Sequence, residues 1–335
     1  MDVRRPNDSP AAENPANHKE PDAASEDDLI FESRNPAMTA LLDTVKRAAA
    51  GDSTILLTGE SGTGKDVLAR QIHRWSPRRD GPFVVINCGT LTEQLMENEL
   101  FAHVRGSFTG AADDKPGRLG AGGGGTIFFD EIADLPTSIQ TKFLRFVQDR
   151  GLERIGSNRT LRVEVRVVAA SNRNLEAEVA AGRFRQDLYY RLNVITFTLP
   201  PLRERAEDVL HFADWMLKNI SIEVGRRELS LAPDAAEAIV NYRWPGNIRE
   251  LHNALMRAAA LARSETIAFD DLPDSIRHPV LSTSVPGAHG IRLKDFEREH
   301  ILRVLAESPT LGQAAAKLGI NVTTLWRKRR HYGIA

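Results

Sequence analysis

The segment Gly59-Glu60-Ser61-Gly62-Thr63-Gly64-Lys65, set between the apolar run Thr54 to Thr58 and the helical stretch Asp66 to Trp75, constrains this chain more than any other. Its glycines let the backbone turn tightly and aim several N–H groups at one point, where phosphate oxygens accept them. The helix that follows adds the positive end of its dipole. Lys65 is then placed to reach the β- and γ-phosphates of a nucleotide. The pattern ordinarily closes with Ser or Thr, whose hydroxyl binds Mg2+, but here Asp66 stands in that place.

A second element answers the first. Thr126-Ile127-Phe128-Phe129-Asp130-Glu131 is an apolar strand that delivers two carboxylates at its C-terminal end, the edge where ligands bind in open α/β sheets. Asp130 is expected to hold Mg2+ through water, and Glu131 to polarise an attacking water. Further strand-length apolar runs occupy Phe83 to Asn87, Val163 to Ser171 and Val194 to Leu199, separated by helical segments such as Glu93 to Phe101 and Ile139 to Asp149. Strands apolar on both faces and alternating with helices predict an α/β fold, with a parallel sheet covered on both sides.

The 335 residues divide by composition. Residues 1–28 are acidic and nearly devoid of large apolar side chains, so they read as a disordered tail. Residues 29–200 hold the α/β core, which opens with a helix from Asn35 whose one face carries Met38, Leu41, Leu42 and Val45. After Pro200-Pro201 only helical periodicity remains, which makes 201–277 a helical lid subdomain. Residues 278–290 have linker composition. A lone Cys88 excludes an intrachain disulfide and reads as a small buried hydrophobe. No run approaches the roughly 20 apolar residues that span a bilayer, and no apolar signal-peptide region opens the chain, so the expected location is the cytoplasm.

Residues 291–335 carry nine basic and four acidic side chains. Phe296, Ile301, Leu302 and Leu305 form one apolar helical face. Leu311 to Leu318 and Val322 to Tyr332 then make two short helices that meet at Gly319-Ile320-Asn321, the pattern of a helix-turn-helix. The second helix presents Thr323, Thr324, Trp326, Arg327, Lys328, Arg329 and Arg330, a cation density suited to double-stranded DNA. Thr323, Thr324 and Arg327, nearest the helix start, are expected at base edges, and Arg329 and Arg330 at phosphates.

With these motifs in view, the chain from about residue 30 to its end resembles the AAA+ ATPases of the bacterial enhancer-binding type, activators that remodel RNA polymerase carrying sigma-54. The family's distinguishing Gly-Ala-Phe-Thr-Gly-Ala motif is matched by Gly106-Ser107-Phe108-Thr109-Gly110-Ala111, after the stretch Glu99 to Gly106. The resemblance implies that Phe108 and Thr109 touch sigma-54 and that this loop moves with the state of the nucleotide. It implies that Asn87 restrains the catalytic Glu131, that Asn172 senses the γ-phosphate, and that Arg185 and Arg191 reach a neighbouring subunit's ATP. It places Arg249, in Trp244-Pro245-Gly246-Asn247-Ile248-Arg249-Glu250-Leu251, at the nucleotide of its own subunit; read from the residues alone, Pro and Gly there start a helix with Asn247 as its N-cap. The C-terminal module resembles the family's Fis-type helix-turn-helix.

The function expected is therefore an ATP-driven, Mg2+-dependent transcriptional activator that binds upstream DNA, assembles into a ring, by resemblance a homo-hexamer or a hetero-oligomer, and opens promoters held by sigma-54 polymerase. A DNA-binding repressor with a vestigial ATPase is the alternative, disfavoured by intact Lys65, Asp130, Glu131 and both arginines. An unfoldase is disfavoured by the 106–111 motif and the DNA module. About thirty residues ahead of the core cannot hold a receiver domain of normal size. Control is accordingly expected from a regulatory protein in trans, from expression level, or from a segment outside this sequence.

Overall fold

The computed structural model describes residues 33–90, 92–101, 117–153, 160–278, 298, 300–302, 304–305, 308 and 310–332. The acidic tail, the linker over 279–290, Phe296 and the Gly106–Ala111 motif lie outside the described residues. Two units are present, divided between His278 and Pro279. Among the described residues no helix is long and apolar enough to cross a membrane.

The first unit opens with α1 (Pro36–Ala49), started by Pro at its first turn and by the Asn35 side chain, which accepts the Met38 N–H. A five-stranded sheet follows, built from β1 (Ile55–Thr58), β2 (Phe83–Asn87), β3 (Thr126–Asp130), β6 (Arg166–Ser171) and β7 (Ile195–Thr198). Its strand order is β2-β3-β6-β1-β7 and every pairing is parallel. All six residues of β6 are buried, whereas the edge strands β2 and β7 are partly exposed, as position in the sheet requires.

Alternation along the strands sorts the core into two layers. Ile55, Leu57, Phe128, Val168 and Ala170 face α1 and α2 (Lys65–Arg74). Leu56, Ile127, Phe129, Val167 and Ala169 face the other way, onto side chains of α3 (Glu93–Leu100), α5 (Thr137–Asp149) and α7 (Gln186–Leu192); the short α4 (Gly117–Ala121) and α6 (Leu175–Ala180) lie between these. Arg166 is fully buried, and its guanidinium donates to Ala48 O and Ala49 O at the end of α1. A basic side chain thus satisfies carbonyls that a helix end leaves bare.

The run over 163–171 is shorter as a strand than its hydropathy predicts. Its first residues instead follow a separate antiparallel strand pair, β4 (Gly151–Glu153) and β5 (Thr160–Arg162), which periodicity did not reveal. The lid comprises α8 (Ala206–Glu223), α9 (Pro233–Asn241), α10 (Asn247–Leu261) and α11 (Asp274–Arg277), with a small parallel pair, β8 (Ser230–Leu231) and β9 (Thr266–Ile267). Trp244 is its fully buried centrepiece and donates its indole N–H to Ile239 O at 2.9 Å.

The second unit holds α12 (Leu311–Lys317) and α13 (Val322–Tyr332). They pack through Ala314, Ala315 and Leu325 against Ile301 and Val304. Leu302, expected on the apolar face, is exposed, and Val304 takes the inward position.

Candidate active site

Parallel register gathers the site. Thr58 lies opposite Ser171 and Thr198, and Asn87 opposite Asp130, so the segments leaving β1, β2, β3 and β6 open on one edge of the sheet. Gly62 and Gly64 adopt left-handed φ of 78° and 91°, which L side chains rarely tolerate. The Lys65 Nζ, buried, donates to Gly59 O and Glu60 O at 2.9 Å each, and the Thr63 hydroxyl also donates to Glu60 O. Burial pulls the Lys65 ammonium below its ordinary pKa, while the charges of Glu131, Asp130 and Asp66 oppose that shift. Asp66 itself is exposed at the first turn of α2.

Asp130 and Glu131 stand at the end of β3 and are half-buried. Burial raises the pKa of both carboxylates, against the pull of Lys65. Glu131 takes a left-handed φ of 51° and donates its N–H to Asp130 Oδ1 at 3.0 Å. Its carboxylate accepts the Asn172 N–H at 3.3 Å, so the end of β6 reaches the turn after β3. Asn87, exposed, accepts the Gly89 N–H at 2.9 Å on its side-chain oxygen. Among the described residues the Glu131 carboxylate bonds the Asn172 N–H and makes no bond with Asn87. Arg173 pairs with Asp134 at 2.9 Å and ties the same two segments a second time, a contact that no local sequence pattern announced.

The lid closes directly on the phosphate loop. Arg249, exposed, donates to the Ser61 hydroxyl at 3.1 Å. Arg203 forks onto the Glu60 carboxylate at 2.7 and 2.8 Å and lowers its pKa, and the Ile248 N–H donates to Gly62 O at 2.9 Å. A Cβ on Gly62 would lie 2.4 Å from Gly246 O, so glycine is required there by the lid as well as by φ.

Residues 31–198 match the family described as the sigma-54 interaction domain, residues 203–287 the AAA+ ATPase lid domain, and residues 292–332 the bacterial regulatory proteins of the Fis family. The chain is 49% identical over 304 residues to the alginate biosynthesis transcriptional regulatory protein AlgB of Pseudomonas aeruginosa, covering 91% of this chain and 68% of that protein. It is 44% identical to the transcriptional regulatory protein ZraR of Klebsiella oxytoca, over 88% of this chain and 67% of that one. The chain belongs to the sigma-54-dependent AAA+ activators. Among solved structures it resembles NtrX from Brucella abortus in complex with ATP, with a TM-score of 0.68, 32% identity and coverage of 90% of this chain and 69% of that one. The ADP complex gives a TM-score of 0.67 at the same identity, covering 91% and 69%.

This activator is an ATPase. Among the described residues no three His, Cys, Asp or Glu side chains converge as a metal cage. Arg185 and Arg191, just before and on α7, are exposed, and among the described residues neither bonds the phosphate loop. Arg185 pairs with Asp187 at 2.7 Å and reaches the Thr141 hydroxyl at 3.4 Å. Cys88 is buried, and burial pushes its thiol pKa well up, so it packs as a small hydrophobe.

In the DNA-binding module, α13 is capped by Asn321, whose side chain accepts the Thr324 N–H at 2.7 Å. Thr323, Trp326, Arg327 and Arg330 are all exposed at helical spacing i, i+3, i+4 and i+7, and so form one face. The Arg330 guanidinium lies 5.7 Å from the Trp326 ring centre. Thr324, Lys328 and Arg329 are only partly exposed.

Proposed function

We propose that this activator couples ATP hydrolysis, in a ring of its own subunits, to the remodelling of sigma-54 RNA polymerase bound at a promoter. The observation that carries the reading is the convergence of Lys65, Asp130, Glu131 and the lid's Arg249 on one loop, in a chain that also bears the sigma-54 interaction domain and a Fis-type module.

Lys65 leaves the carbonyls of Gly59 and Glu60 to bind the β- and γ-phosphates. Asp130 would hold Mg2+, which would supply neutralisation of phosphate charge. Glu131, its pKa raised by burial, takes the proton of the attacking water, and its Oε1 is available for this while Oε2 accepts the Asn172 N–H. Asn172 and Asn87 then relate the presence of the γ-phosphate to the position of Glu131. Arg185 and Arg191 serve the neighbouring subunit's nucleotide; their exposure favours a role in trans. The Gly106–Ala111 loop transmits the cycle to sigma-54 through Phe108 and Thr109. The module at 291–335 binds upstream double-stranded DNA in the cytoplasm, and a regulatory protein in trans is the candidate trigger.

Thr109→Ala tests the coupling. The variant keeps ATPase activity and loses promoter opening in a reconstituted transcription assay; full activation by it would remove the 106–111 loop from this role.

A further inference from the structure

Asn247 opens α10 after Pro245-Gly246 and reads in the sequence as an N-cap, yet its side chain caps nothing. The Gly246 N–H, one residue earlier, donates to the Glu250 carboxylate at 2.7 Å. Asn247 is fully buried, with a left-handed φ of 53° that asparagine tolerates better than most side chains. Its Oδ1 accepts the Leu202 N–H at 2.8 Å, and its Nδ2 donates to Ser61 O at 3.0 Å and to the Glu60 carboxylate at 3.2 Å. Leu202 lies in the connector between the sheet and the lid; Glu60 and Ser61 lie in the phosphate loop.

One carboxamide therefore ties three segments, and the polarity is specific. An acceptor must face the connector and two donors must face the loop. Aspartate matches the shape but turns a negative oxygen toward the Glu60 carboxylate and the Ser61 carbonyl. Leucine matches the volume and leaves all three partners bare. Neighbouring contacts run the same way, since Arg203 of the connector forks onto Glu60 and Ile248 donates to Gly62 O.

We infer that Asn247 is a positioning residue for ATP binding, through which the lid and its connector hold the phosphate loop in the conformation that receives the nucleotide. Any rotation of the lid against the sheet must move Glu60 and Ser61 with it, so loop shape and lid position are one variable. The inference deepens the ATPase reading and rests on it.

The test is steady-state ATP turnover, with binding of a fluorescent ATP analogue and a thermal melt followed by circular dichroism, on the full chain. Asn247→Asp is expected to raise the KM for ATP by about tenfold or more while kcat changes less, the scale of a buried charge-assisted bond turned repulsive. Adding Glu60→Gln supplies a donor facing the introduced carboxylate and brings KM back toward that of Glu60→Gln alone. Arg203→Gln, which buries no charge, raises KM about two- to threefold and remains informative if Asn247→Asp does not fold. A folded Asn247→Asp chain with the parental KM, additive effects in the double variant, or an unchanged KM in Arg203→Gln would each overturn the inference. Failure of the parental chain to hydrolyse ATP would instead overturn the reading beneath it.

Discussion

Glu131 occupies a left-handed backbone position, a half-buried carboxylate environment and a hydrogen bond to the end of β6 at once. Its raised pKa fits a general base that is charged when it works and only weakly solvated. A base acts deprotonated, so kcat/KM for ATP, which reports the free enzyme, should fall as pH drops through that raised pKa, at a higher pH than an ordinary glutamate would set. Glu131→Gln should bind ATP with near-parental affinity and lower turnover by about a hundredfold or more, read by phosphate release. The sequence put Glu131 next to Asp130 at a strand end, which sufficed to nominate it. It could not supply the partner of its carboxylate, because Asn172 lies forty-one residues away on another strand.

Individual elements are held by buried polar hubs as much as by apolar faces. Asp208, in the first turn of α8, is fully buried and accepts from Arg205 Nε at 2.8 Å, the Ser33 hydroxyl at 2.6 Å, and the N–H groups of Arg34 and Asn35. The segment entering α1 is thereby fixed to the start of the lid. Asp208→Ala should destabilise this unit by about 3–5 kcal/mol in chemical denaturation, because it leaves the Arg205 guanidinium buried without its carboxylate. Trp244→Ala should cost a similar amount, about 3–5 kcal/mol, by emptying the centre of the lid core. The long amphipathic helices and doubly apolar strands were legible because their periodicity is local. The antiparallel pair of β4 and β5 was not, since three-residue strands are too short to carry a period.

For the whole molecule, the strongest expectation concerns sites completed between copies. If Arg185 acts on a neighbour's nucleotide, Arg185→Ala and Lys65→Ala chains should each be nearly inactive alone. Mixing them should restore part of the ATPase activity, because some interfaces then pair an intact loop with an intact arginine; no recovery would argue that the arginine acts in its own chain. DNA binding should weaken steeply with salt, and Arg330→Ala should lower affinity across sequences by about fivefold in a fluorescence-anisotropy titration, as loss of a phosphate contact does. By itself the sequence determined the phosphate loop, the paired acids, the parallel α/β class and the basic helix-turn-helix, because each is written in contiguous residues whose spacing has one physical meaning. Only the tertiary structure decided that Asn247 serves the phosphate loop rather than its own helix, since its loop partners lie 186 and 187 residues away. Buried amide polarity is fixed by whatever the fold brings opposite it, and no local pattern encodes that.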